Sequence, residues 1–283
     1  MTGRQREGRH RRTGATVVVA VVLAGAGLGT AGCSGGDAAA GDARGGEAVT
    51  VLRQSAGRLV GAGSSKARTS MEMAAGGTRV TIRGAGVYDY RKRMGRLKVL
   101  LPQDPAGVAE RRPITELLAP GALFMKNRGA GVPADKWVRV DTRTLSDGNL
   151  VTGGATDPFT AAEVLLGTRT ATYVGRTEVA GTGVRHYRGT ADLADAARRA
   201  SKGNEEPLRA AAEGFATAEV PFDAYLDDEG RIRKVRHRFS FLNGQQQSPV
   251  AVASTTLLYD FGASVRVRLP RTDDIYAGRI AEE

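Results

Sequence analysis

The stretch TRVTIRGAGVYDY, Thr78 to Tyr90, alternates with period two: Val80, Ile82, Tyr88 and Tyr90 fall on one side, and Arg79, Thr81, Arg83 and Asp89 on the other. That pattern predicts a strand with one apolar and one wet face, as in antiparallel sheets. Gly84 and Gly86 fall on the apolar side, where glycine marks a bulge or sharp curvature. The flanking stretches repeat the alternation. In ARTSMEMAA, Thr69, Met71 and Met73 oppose Arg68, Ser70 and Glu72, and in GRLKVLLP, Leu97, Val99 and Leu101 alternate with Arg96 and Lys98.

Outward from there the chain continues as PITELLAPGALFMKN and KWVRVD, then TATYVGRTEVAG and GVRHYRGTADL joined at Ala180-Gly181. The hairpin VPFDAYLDDEGRIRKVRHRFSF turns at Asp227-Asp228-Glu229-Gly230, with glycine where positive φ is needed, and SPVAVASTTLLYDFG and SVRVRLP add a long strand and a short one. Helical spacing marks Glu47 to about Val60, where Val49, Leu52, Ala56, Leu59 and Val60 recur. A second helix is predicted from Asp157, a cap followed by Pro158 at the first helical position, to about Thr168. A third helical region, Asp192 to about Phe215, is interrupted near Gly203 and Pro207. Roughly ten strands with helices at the start, middle and three-quarter points do not alternate as βαβ units, so the class is α+β, a large antiparallel sheet with helices on one face.

The first 32 residues differ in kind. Arg4, Arg6, Arg9, Arg11 and Arg12 precede an apolar run from Ala15 to about Leu28, the charged and apolar regions of an export signal. The run is shorter than the roughly 20 residues a stable span needs. Thr30-Ala31-Gly32-Cys33 resembles the bacterial lipobox, which implies that Cys33, the single cysteine, becomes diacylglyceryl-modified and N-terminal. Thr30 stands where that pattern has leucine, and Gly29-Thr30-Ala31 is also a small-x-small site for ordinary signal peptidase. Two acyl chains give stable anchorage where one does not. Residues 33–46, rich in glycine and alanine, are expected to form a flexible tether with a reach of roughly 20 Å. Loss of residues 1–32 lowers the formal charge from +11 by four to +7. The remaining arginines are scattered rather than gathered with aromatics, which speaks for a solvated surface near an anionic membrane and against nucleic acid. The division is thus a signal peptide (1–32), lipidated Cys33 with its linker (33–46), one domain (47–270) and a C-terminal tail (271–283). With one cysteine, no disulfide forms within the chain.

The order of these segments resembles the actinobacterial lipid-carrier lipoproteins of the LprG/LppX type, with a LolA/LolB-like fold. The resemblance rests on ALFMKN followed by KWVRVD, on GTGVRHYRGTADL around His186-Tyr187, on VPFDAYLDDEGRIRKVR and on YDFGASVRVRLP, which with the lipobox cover most of residues 47–270. It implies a strongly curved sheet, half a barrel, whose concave side is covered by helices over an apolar cavity for acyl chains.

Catalytic constellations are missing from the pattern. His186 and His237 lie in separate strands without metal-ligand spacing, no G-x-S-x-G elbow occurs, GAGSSK lacks the spacing of a phosphate loop, and Asp227, Asp228 and Glu229 are explained by the hairpin tip. The chain is therefore expected to be no enzyme, with no cofactor and no metal. The residues expected to line the cavity are Met71, Met73, Val80, Ile82, Tyr88, Leu97, Val99, Phe222, Val235, Phe239, Leu257 and Tyr259. Methionine and glycine on the apolar side make an adaptable wall. The expected function is that of an extracytoplasmic lipoprotein on the outer face of the cell membrane, which shelters the acyl chains of a lipid or lipoglycan and carries or retains it. The alternative is an envelope sensor or assembly factor of the same fold that binds a protein partner.

Overall fold

The structure is a computed structural model and describes residues 36–75, 78–101, 113–129, 131–242 and 249–278. The export signal and Cys33 lie outside the described residues. Helix α1 (Gly36–Ala62) leads into strands β1 (Ser64–Ala75), β2 (Thr78–Asp89), β3 (Met94–Leu100), β4 (Ile114–Ala119), β5 (Ala122–Lys126) and β6 (Trp137–Asp141). Helix α2 (Pro158–Val164) precedes the pair β7 (Thr168–Val179) and β8 (Thr182–Asp192), and helices α3 (Leu193–Arg199) and α4 (Glu205–Gly214) precede β9 (Glu219–Leu226), β10 (Ile232–Leu242) and β11 (Pro249–Tyr259). All eleven strands form one antiparallel sheet in the order β6-β5-β4-β3-β2-β1-β11-β10-β9-β8-β7, open at β6 and β7.

The sheet is curved, and one segment proves it. A Cβ on Gly153 would lie 3.3 Å from Leu123 of β5, while Thr156, three residues on, hydrogen-bonds Ser254 of β11. In a flat sheet those strands, five places apart, are separated by about 24 Å. The strands therefore wrap around the segment. Gly86 is part of the means: a Cβ there would overlap the backbone carbonyl of Arg96 on β3, so only glycine permits the close approach. The α+β architecture, an open half-barrel with helices on its concave side, is the one the resemblance implies.

Helices α1, α3 and α4 bury one side each, and α2 is buried along its whole length. In α1 the stripe is Ala48, Leu52, Ala56 and Leu59, with Val60 left exposed. The helix starts at Gly36 rather than near Glu47, inside the stretch expected as tether; Ala38, Ala39, Ala40 and Ala43 are strong helix formers there. In α2, Asp157 caps the amides of Phe159 and Thr160 and Pro158 takes the first turn. Gly203 separates α3 from α4, and Pro207 sits in the first turn of α4, where its missing N–H costs nothing.

One expectation is corrected at the C-terminal end. SVRVRLP forms no strand in the sheet: residues 264–270 run without a ladder, and only Ile275 bridges to Trp137. Its alternation has another cause. Val267 and Ile275 cover a small apolar cluster of Leu117, Ala122, Phe124 and Trp137 on the outer side of β4 to β6, with Arg266 and Arg268 exposed. Beyond this stretch, Ile275 and Tyr276 meet the sheet at Trp137, the Tyr276 N–H donating to the Trp137 carbonyl at 2.8 Å, while residues 271–274 are exposed.

Candidate functional site

The concave interior is the candidate site. Met71, Ile82, Tyr88, Leu97, Val99, Phe222, Val235 and Phe239 are buried together there, with Met73 and Val80 half-buried against them. Leu257 and Tyr259 are not part of this group. Pairing sets Thr69 opposite Thr256 and Arg68 opposite Leu257, so Thr256 and Leu258 face inward while Leu257 and Tyr259 share the outer face with Arg68, whose guanidinium lies 5.1 Å from the Tyr259 ring. The expected phase of β11 is thereby shifted by one residue, which moves both side chains away from the interior.

What covers the interior differs from place to place. Over β9 and β10 the cover is helical. Over β2 and β3 it is the connection that ends at α2, Leu145 to Asp157. Asp147 folds it, its carboxylate accepting from the amides of Asn149 (3.0 Å), Val151 (2.9 Å) and Thr152 (2.6 Å), and Asn149 Oδ1 accepts from Gly153 N–H at 3.1 Å. Leu150, Ala155 and Thr156 are buried. Gly154, at φ +82°, places its backbone directly over Ile82 and Val99, which a Cβ would meet at 3.4 and 3.6 Å. The Tyr88 hydroxyl donates to Asp157 Oδ2 at 3.1 Å. Burial raises the Asp157 carboxyl to about 6 against the opposing pull of the Thr160 and Phe159 amides and of Tyr88.

The interior also holds polar atoms without partners. Glu116 stands in phase between Ile114 and Leu118, has no exposure, and neither carboxyl oxygen has a hydrogen-bond partner among the described residues. Desolvation pushes it up to about 8, against a weak pull from Arg128, so the acid is mostly protonated at neutral pH. Thr69 Oγ1, Thr256 Oγ1 and His237 Nε2 are likewise buried and unpartnered among the described residues. Thr69 pairs with Thr256, and His237 pairs with Ser254 two residues along β11, so the three groups lie in neighbouring rows on the inner face of β1, β11 and β10. Such groups are rare in folded interiors, and each calls for a cause. Sequence reasoning passed over Glu116, although its period-two spacing from Ile114 and Leu118 was the available signal.

The histidines fall on opposite sides. His237 is buried in the interior, stacked on Phe239 with centroids 5.8 Å apart, and desolvation lowers it to about 3. On the outer side, His186 Nε2 lies 2.8 Å from Asp223 Oδ1 and its ring stacks on Tyr225 at 4.3 Å. Arg188 and Arg238 donate to the same carboxylate at 2.9 and 2.7 Å. Burial would raise Asp223, but Arg238, His186 and Arg188 outweigh it and hold the acid at about 2. All four groups are consumed by one another, a structural ion cluster on a sheet face. Asp227 closes the hairpin tip through Arg231 N–H at 2.9 Å and the Arg231 side chain at 2.8 Å.

No protein-family model matches the chain, and no curated protein matches it in sequence. Among solved structures it is similar to the lipoprotein LppX of Mycobacterium tuberculosis, at 9% identity over 79% of this chain and 99% of that one, with a TM-score of 0.46. It is similar also to LprF of Mycobacterium bovis, at 14% identity over 80% of this chain and 97% of that one, TM-score 0.39. A LolA-superfamily protein of Nitrosomonas europaea is 10% identical over 75% of this chain and 94% of that one, TM-score 0.33. At these scores and identities the likenesses fix neither the ligand nor the site residues of this chain.

Proposed function

We propose that the protein is an extracytoplasmic lipoprotein, anchored through Cys33, that takes the acyl chains of a lipid or lipoglycan into the concave interior and carries or retains that lipid in the cell envelope. The observation that carries this reading is the nature of the cover over β2 and β3. Gly153-Gly154-Ala155 lies there instead of a helix with large side chains, and the side-chain hydrogen bonds that tie the end of this cover to the sheet are Thr156–Ser254 and Tyr88–Asp157. Moving that segment aside uncovers Ile82 and Val99 without breaking any strand pairing. An acyl chain in their place is worth about 0.8 kcal/mol per methylene, enough to offset the contacts of three small residues. The unpartnered Glu116, Thr69 and Thr256 support the same reading, since polar groups of a cargo or of its water would supply the partners they lack among the described residues. No covalent step belongs to this function.

Native mass spectrometry of the protein purified from its own membranes tests the reading: a retained lipid appears as added mass. A Cys33→Ala variant is expected to leave the membrane fraction for the medium with its fold intact. Protein that carries no lipid, and takes up none when mixed with envelope lipids, rules the carrier function out.

A further inference from the structure

The outer face of the sheet carries a site of its own. A groove of about 460 Å³ runs across β3, β2, β1 and β11 on the side away from the helices, a size in the range of small-ligand sites. Its floor is apolar: Ala85, Leu100, Leu257 and the ring of Pro113, with Leu100 54% exposed. Its rim is cationic: Arg68, Arg83 and Lys98. Nearby cations on the same face are spent, Lys66 on Asp260 at 2.8 Å and Arg236 on Glu72 at 3.4 Å. Among the described residues, Arg68, Arg83 and Lys98 have no carboxylate within 4 Å. An apolar floor ringed by three cations matches one kind of molecule, a chain that is oily along its length and negative at one end.

We infer that this groove binds a single-chain anionic amphiphile as a monomer, its acyl chain along Ala85, Leu100 and Leu257 and its head group among Arg68, Arg83 and Lys98. The site is independent of the interior. Lys98 and Val99 are consecutive on β3 and point to opposite faces, so the two sites are separable by mutation. The exposed position of the cations makes binding sensitive to ionic strength.

Laurate, dodecyl maltoside and dodecyltrimethylammonium, each below its micellar concentration, are the probes, with isothermal titration for affinity. Doxyl-labelled stearate adds position, through broadening of leucine, valine and isoleucine methyl signals in NMR. The expected result is that laurate binds, that the uncharged and cationic probes bind at least about tenfold more weakly, and that Arg83→Glu and Lys98→Glu each cost about tenfold or more. Doxyl-stearate is expected to broaden Leu100 and Leu257 in the wild type and not in the two charge variants. Both positions are exposed, and circular dichroism confirms that the variants fold. Equal binding of all three probes, unaltered binding by the variants, or binding to phosphatidylglycerol vesicles without binding of monomeric laurate overturns the inference. Broadening confined to Ile82 and Val99 overturns it while leaving the interior carrier standing, and broadening confined to Leu100 and Leu257 does the reverse.

Discussion

The hydroxyls of Thr156 and Ser254 lie 2.6 Å apart in the buried concavity, and because Thr156 donates to the Leu150 carbonyl at 2.9 Å, it accepts from Ser254. One threonine thus closes the 150–156 turn on itself and ties it to β11. Thr156→Val keeps the shape and removes both bonds, which leaves the Leu150 carbonyl and the Ser254 hydroxyl unpaired at a cost of about 1–3 kcal/mol. Hydrogen exchange is expected to quicken at the amides of Val151 to Gly154 and to stay unchanged in β2 and β3. Uniform quickening across the sheet means instead that the segment is an integral part of the core and not its movable cover.

His237 sets an acid limit. Its folded value of about 3 lies below the unfolded 6.5, so between those values the unfolded chain binds the extra proton. This contribution to stability is complete above pH 6.5 and shrinks by about 1.4 kcal/mol per unit as the pH falls towards 3. Asp157 and Glu116, raised in the fold, act in the opposite sense over part of that window. The measurement is therefore a difference: denaturant midpoints of the wild type and of His237→Leu from pH 7 to 4. The gap between them should move in favour of the variant as the pH falls, and a constant gap would show that His237 is not held neutral.

Glu116 sets the alkaline counterpart. Its value rises from 4.5 to about 8 on folding, so the folded state holds the proton longer, and stability declines by about 1.4 kcal/mol per unit as the pH rises from 4.5 to 8, then levels off. Glu116→Gln has nearly the same shape and no proton to lose. It should gain on the wild type across that interval and be the more stable protein at pH 8 by several °C in melting temperature. A variant that is weaker at every pH would mean that the carboxylate has a charge partner.

How much of this was legible in the sequence depends on whether the cause was local. The interior phase of β2 followed from Ile82 and Tyr88 alone, and the start of α2 from Asp157-Pro158, because alternation and capping are decided within a few residues. Thr256-Leu257-Leu258-Tyr259 offers apolar side chains in both phases, and only pairing with β1, which sets Thr69 against Thr256, selects Leu258 for the inside. Leu145 to Asp157 is polar and glycine-rich and reads as a surface loop. Its burial is imposed by the curvature of strands that lie far away in the chain. Val265 and Val267 alternate as a strand would, yet the need Val267 meets is a covered apolar patch and not a ladder.

Val80 and Val99 separate a movable cover from a fixed core. Val99 has no exposure and lies under Gly154, while Val80 is half-buried at the margin of the same interior. An indole at Val99 has no room beneath the glycines, so either the segment moves or the sheet strains. Overpacking of a fixed core costs about 1–3 kcal/mol. If the segment is a cover, Val99→Trp should displace it, lower the melting temperature modestly and abolish uptake of a fluorescent fatty acid by filling the space. Val80→Trp should abolish uptake too, with a smaller change in melting. The assay is run on an Arg83→Glu background, so that the weakened outer groove contributes little to the signal. Both variants retaining full uptake, or a parent protein that takes up no fatty acid at all, would leave Val80 and Val99 as ordinary core and end the case for an interior that carries lipid.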